Sequence, residues 1–193
     1  MTQPRRPAYL ETLATFCADT RFADLPPAVV ERTRWIIADS LPVIAAGMQQ
    51  PEMKALVARH LGGAPVGPAT VFGAGGLSAP PLDAALLNGT AGTWLELDEG
   101  NLFAKGHPGI QVVPAAVAVA QEIGASGAEL LRAVALGYEI SSRIHRAADV
   151  RLSVHPHGTY GVIGAAIAVG LLHGFDAAQL LELINVSATM GMA

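Results

Sequence analysis

The 193 residues carry a net charge of −4, with 51% apolar and 15% charged side chains. So few basic residues argue against a nucleic-acid-binding surface, which needs clustered lysine and arginine. With a mean hydropathy of +0.40, the chain is apolar enough to bury a substantial core and leave apolar surface for a second subunit, which predicts a homodimer.

Location is predicted from cysteine use and from apolar runs. The single cysteine, Cys17, provides no disulfide framework, which favours a reducing compartment. The N-terminus lacks the apolar core of a signal peptide. The longest apolar run, GVIGAAIAVGLL at 161–172, is too short and too rich in glycine to cross a bilayer. We therefore expect a cytoplasmic protein with no membrane segment.

The first third of the chain predicts helices and one short strand. LPPAVVERTRWIIADSLPVIAAG, at 25–47, has prolines near a helix start and a helical apolar pattern, with Pro42 expected to kink or end the helix. MKALVARHLGG, at 53–63, predicts a short helix stopped by glycine. The only strand-like piece is Thr70 to Phe72.

The rest of the chain predicts helices with clear start signals. Ser78 can cap a helix over 82–99, with Pro80 and Pro81 in its first turn, and this helix is expected to run into a group of acids. Ser126 with Glu129 forms a capping box, and Asp176 with Gln179 repeats the device. Leu130, Val134 and Tyr138 are spaced four apart, as on one face of a helix. The predicted fold class is all-α.

Two helices of small residues each follow a His-Pro pair. VVPAAVAVAQEIG, at 112–124, comes after His107 and Pro108, and GVIGAAIAVGLLHG, at 161–174, comes after the run His155 to His157. Small residues let helices approach closely, so both helices should be buried. If their N-termini converge, the free N–H groups form a place for carboxylates. Histidines there can bind the anion or move a proton.

Acids, a lysine and a histidine gather in LELDEGNLFAKGHPG, at 95–109. Acids at a helix end usually face solvent, and a lone histidine is usually a surface residue. The spacing matches no common set of metal ligands, so no metal site is predicted. Neither a nucleophile elbow nor a phosphate-binding loop is present. Proton transfer beside a carboxylate remains the simplest use of these groups.

The order of these motifs resembles the MmgE/PrpD family. The resemblance is carried by 68–99 (PATVFGAGGLSAPPLDAALLNGTAGTWLELDE), 106–144, and HPHGTYGVIGAAIAVGLLHGFDAAQ at 155–179, and extends from about Leu25 to the end. It implies a large helical domain and a smaller α/β lid, with the active site between them. Residues 1–193 then correspond to the N-terminal part of the helical domain, without the lid, so this chain alone is expected to be inactive.

The resemblance also implies roles for individual residues. The predicted catalytic residues are His107, His155 and Asp98. The predicted substrate-binding residues are Glu96, Glu99, Lys105 and His157, with Lys105 chosen for its nearby charge. Asp98 can alternatively be the base itself. The chain departs from the family's usual pattern at Gly100, where many members have threonine, and at Gly109, where they have serine.

The function implied is a lyase that needs no metal or organic cofactor and binds a small di- or tricarboxylate. Dehydration of a 2-methylcitrate-like acid is the leading expectation. Decarboxylation of the cis-aconitate type and epimerisation of the iminodisuccinate type are alternatives within the family. A helical dimerisation module without chemistry is the alternative of another class.

Overall fold

The computed structural model describes residues 7–62, 66–148, 157 and 159–191. Within these residues the chain forms eight α-helices and one two-stranded sheet, which confirms the all-α prediction. The helices are α1 (Ala8–Asp19), α2 (Pro27–Gly47), α3 (Pro51–Leu61), α4 (Pro81–Thr93), α5 (Pro108–Ile123), α6 (Gly127–Ala147), α7 (Gly161–Leu172) and α8 (Ala177–Met190). None of the described helices is both long and apolar enough to cross a bilayer.

The helix starts follow local sequence signals. Proline is the first residue of α2, α3, α4 and α5, a position where its missing N–H costs no hydrogen bond. The α6 capping box of Ser126 and Glu129 is confirmed, as is the α8 box of Asp176 and Gln179.

The predicted end of α4 is wrong, and Pro42 does not end α2. Helix α2 continues through Pro42 to Gly47, because the packing of buried Ile44 and Gly47 outweighs the lost backbone hydrogen bond. Helix α4 ends at Thr93. The acids that follow therefore lie in a loop, outside the helix that was expected to carry them.

The strand region also differs from its prediction. Strand β1 (Ala69–Thr70) pairs with β2 (Ser78–Ala79) in antiparallel register, so Ser78 belongs to a strand, and the N-cap of α4 is Pro80. The pairing continues by one further bond, from the N–H of Val71 to the carbonyl of Leu77. Asn88 of α4 then accepts from the N–H of Phe72 and donates to the carbonyl of Thr70.

Helix α5 lies at the centre of the fold. Val112, Val113 and Ala116 belong to the apolar cluster that it shares with α1, α2, α6, α7 and α8. Ile110 and Ala118 belong to a second cluster, shared with α2, α3, α4 and the sheet. Since both clusters use α5, its N-terminus is held firmly, and His107 is its N-cap residue.

Helices α6 and α7 touch through two glycines. A Cβ atom added at Gly137 would lie 2.5 Å from the carbonyl oxygen of Gly164, and one added at Gly164 would lie 2.6 Å from that of Gly137. No larger residue fits at this crossing without moving backbone. Helix α7 is buried at this crossing, as the small-residue pattern predicted.

We predict that Gly164→Ala destabilises the protein by about 1–3 kcal/mol, because the added methyl group forces α6 and α7 apart. Gly127→Ala is the matched control, since a Cβ atom there meets no atom within 4 Å. Urea unfolding should give a lower midpoint for Gly164→Ala and an unchanged or higher one for Gly127→Ala. Equal midpoints for the two variants would contradict this packing.

Candidate functional site

A folded loop joins α4 to α5 and carries most of the predicted site residues. Asn101 and Gly106 pair through their backbones, and the Asn101 side chain accepts a hydrogen bond from the N–H of Ala104 at 3.0 Å. Glu96 and Lys105 have positive φ angles of 52° and 55°, which non-glycine residues adopt rarely and mostly in turns. The loop therefore has a defined shape that fixes its acids.

Asp98 is the buried group of this loop. Its side chain is 1% exposed, and its Oδ2 lies 3.1 Å from Nδ1 of His107 and 3.6 Å from Nε2 of His157. Neither carboxylate oxygen has a hydrogen bond within the described part of the chain. A buried carboxylate is costly unless it is paired, so its two imidazole neighbours are the groups that compensate it.

The tautomer of His107 follows from its contact with Glu99. Nδ1 of His107 lies 3.0 Å from the backbone carbonyl oxygen of Glu99. Because a carbonyl oxygen only accepts, Nδ1 carries the hydrogen and donates it. In the neutral ring the other nitrogen, Nε2, then holds the lone pair and is able to accept a proton.

His157 approaches from the start of α7. The side-chain amide of Gln111 donates to Nδ1 of His157 at 3.2 Å, which leaves the hydrogen of the neutral ring on Nε2, the nitrogen that faces Asp98. The rings of His107 and His157 have their centroids 5.0 Å apart. The two histidines therefore meet, which is the condition on which the expected carboxylate site depended.

The carboxylate of Glu99 bonds to α5 and α6. It accepts hydrogen bonds from the N–H of Gly109 and from the hydroxyl of Tyr138, the latter at 3.2 Å. Burial raises the pKa of Glu99 above its usual 4.5, although these hydrogen bonds oppose the rise. Burial, followed by the charge of Glu99, raises the pKa of Tyr138 and keeps its hydroxyl protonated as the donor.

Two of the remaining predicted residues lie elsewhere, and a third is not described. Glu96 and Lys105 are exposed, and neither belongs to the group formed by Asp98, His107 and His157. Lys105 lies near His145, whose pKa is lowered first by burial and then by the lysine charge. His155 falls outside the described residues, so its predicted catalytic role stays a prediction.

The sequence missed Gln111, Tyr138 and Asn101 as site residues. Gln111 contacts His157, and Asn101 donates from its amide to the hydroxyl of Tyr138 at 3.1 Å. The four-residue spacing placed Tyr138 only on a packing face of α6. No local signal distinguishes these residues, because each contact joins segments at least 37 residues apart.

Asp98, His107 and His157 also offer ligand atoms within 4.8 Å of one another, as a metal site would. However, the nitrogen of His107 that faces Asp98 is Nδ1, and its hydrogen bond to the carbonyl of Glu99 requires a hydrogen on that atom. A protonated nitrogen has no lone pair for a metal ion. The arrangement is therefore better suited to moving protons than to binding a metal.

A cavity of about 400 Å³ opens beside this group. It lies between α4, α5 and α7, with His157, Gln111, Thr90 and Thr93 among its lining residues. Its size is within the usual range for small-molecule pockets, and its polar side chains sit among apolar ones, as in many ligand sites.

Residues 11–193 match the family model described as the MmgE/PrpD N-terminal domain. The chain belongs to the MmgE/PrpD family. It is similar to a cis-aconitate decarboxylase of Aspergillus terreus, with 26% identity over 175 residues that cover 86% of this chain and 36% of that protein. It is also similar to a human cis-aconitate decarboxylase, with 27% identity over 128 residues that cover 62% of this chain and 26% of that protein. The chain thus spans about a third of the length of these relatives.

We predict that Glu99→Gln stabilises the protein at neutral pH. Because the pKa of Glu99 is raised in the folded state, the folded protein binds more protons than the unfolded chain, and stability falls as pH rises from 4.5 through the raised pKa. Glutamine avoids this loss and can still accept from Gly109. Urea titrations should therefore show the variant as more stable at pH 7, with a smaller difference at pH 4. A difference that grows toward low pH would contradict the assignment.

Proposed function

We propose that the protein of which this chain is part is a cofactor-independent lyase acting on a small di- or tricarboxylic acid. The observation that supports it best is the buried Asp98 between His107 and His157, with one imidazole oriented as a proton acceptor. Proton transfer at a carbon beside a carboxylate needs a base of this kind and positive charge nearby.

In the proposed dehydration, Nε2 of His107 removes the proton from the carbon beside the substrate carboxylate. The hydroxyl on the neighbouring carbon leaves after taking a proton from an acidic group, so water and an unsaturated acid are the products. Asp98 stabilises the imidazolium that forms on His107, since an adjacent carboxylate favours that charge. His157 lines the cavity beside this group and contributes its ring to the substrate site.

The leading substrate is a 2-methylcitrate-like acid, as the motif resemblance implies. Decarboxylation of a cis-aconitate-like acid is a second candidate, which the names of the two similar proteins favour. The two reactions share the proton transfer beside a carboxylate and differ in whether hydroxide or carbon dioxide leaves. The same side chains therefore serve either reaction, and the substrate decides between them.

The test is an NMR assay of the full-length protein with 2-methylcitrate, citrate, cis-aconitate and iminodisuccinate. We expect one of the first three acids to be consumed, and His107→Ala to lower kcat by about 100-fold or more. His173→Ala is the matched control, because His173 is exposed at the end of α7.

Circular dichroism should show that both variants keep their helices. Full activity of folded His107→Ala would remove His107 from the mechanism. Interconversion of iminodisuccinate isomers would replace the lyase with an epimerase. If none of the acids is changed, the proposed activity is wrong. The result would then favour the alternative of a helical dimerisation module without chemistry.

A further inference from the structure

Glu99 makes three hydrogen bonds that join the loop to α5 and α6. Its carboxylate accepts from the backbone N–H of Gly109 and from the hydroxyl of Tyr138, and its own backbone carbonyl accepts from Nδ1 of His107. The carboxylate is therefore occupied by the protein. The sequence had predicted that it would bind substrate.

The position of Glu99 relative to the cavities agrees with this. Its side chain borders a second cavity of about 740 Å³, together with Arg32 and Tyr138. His157 and Gln111 line the other cavity, of about 400 Å³, and Glu99 is not among its lining residues. Glu99 thus borders a different cavity from the one that His157 borders.

The absence of a side chain at Gly109 leaves the space that the Glu99 carboxylate occupies. A Cβ atom at position 109 would lie 2.6 Å from Oε1 and 2.8 Å from Cγ of Glu99, closer than real Cβ contacts allow. The glutamate side chain occupies the space that a side chain at 109 would need. Any larger residue there must push the carboxylate away from the N–H of Gly109.

Tyr138 is itself held in place from two sides. Its hydroxyl accepts from the amide of Asn101 at 3.1 Å, and the hydroxyl of Ser142 donates to its backbone carbonyl at 2.7 Å. The Asn101 amide also lies 3.4 Å from the Ser142 hydroxyl. Glu99 is therefore attached to α6 by a connected set of hydrogen bonds.

We propose that Glu99 is a positioning residue for His107. Its side chain, held by Gly109 and Tyr138, keeps the Glu99 carbonyl against Nδ1 of His107. The carbonyl acts together with Asp98, whose Oδ2 lies 3.1 Å from the same nitrogen, to fix the tautomer that presents Nε2 to substrate. The effect on turnover rests on the function proposed above, but the tautomer itself does not.

The main test uses Gly109→Ala, Glu99→Asp and the double variant. Gly109→Ala should displace the Glu99 carboxylate and lower kcat at least ~10-fold, since small misplacements of a catalytic group are costly, while KM changes little. The shorter acid of Glu99→Asp makes room for the methyl group, so the double variant should recover most of the activity lost in Gly109→Ala. This non-additivity is the signature of direct contact. Gly127→Ala is the control for adding a methyl group to a helix.

The second readout is NMR of ¹⁵N-labelled histidines, which reports the tautomer of His107 without any substrate. We expect Nδ1–H in the native protein and a measurable fraction of Nε2–H in Gly109→Ala, where Asp98 alone still faces Nδ1. Tyr138→Phe adds no volume and removes one of the two bonds to the carboxylate, so it should show a smaller change of the same kind. Tyr9→Phe, at a tyrosine that is 63% exposed, should leave the histidine signals as they are.

The outcomes separate this proposal from the proposed function. If no acid is turned over but the tautomer changes as expected, the positioning role stands and the lyase activity is wrong. If an acid is turned over and Gly109→Ala raises KM with kcat unchanged, Glu99 binds substrate and the positioning role is wrong. An Nε2–H tautomer of His107 in the native protein would also overturn it.

Discussion

A buried carboxylate between two imidazoles is the constraint on which this site depends. Asp98 is almost fully enclosed, and no hydrogen bond reaches it from the described residues. Removing a carboxylate from water is tolerated only where a partner compensates its charge. His107 and His157 are placed to do so, and this ties the loop to the starts of α5 and α7. Buried polar groups without hydrogen bonds concentrate at functional sites, where they are retained for their chemistry.

The apolar fold supplies the positions of these groups. Helix α5 packs into both apolar clusters, which fixes His107 at its start. The glycine contact between α6 and α7 lets α7 lie close enough for His157 to reach Asp98. The small apolar residues therefore help to form the site, because they allow the helices to pack more closely than bulky residues would.

How much the sequence could predict depended on the range of each interaction. The capping box of Ser126 and Glu129 and the prolines at the helix starts are local signals, so the sequence predicts them directly. Asp98 and His107 lie within one loop, so their contact could also be predicted from the sequence. The contact of Tyr138 with Glu99 was not, because it depends on how α6 crosses α5. The end of α4 at Thr93 was missed because the apolar pattern continues past it. The homodimer and the cytoplasmic location remain predictions from composition.

The most direct measurement is deuterium incorporation into the acid that the protein turns over, followed by NMR in D₂O for the native protein and for Asp98→Asn. Each reaction considered moves a proton at a carbon beside a carboxylate. With the native protein we expect deuterium at that carbon in substrate re-formed by the reverse of dehydration, or in the product of a decarboxylation. Asp98→Asn, which keeps the size of the side chain but not its charge, should incorporate deuterium far more slowly. Equal incorporation by the two proteins would contradict the central role given to the buried carboxylate.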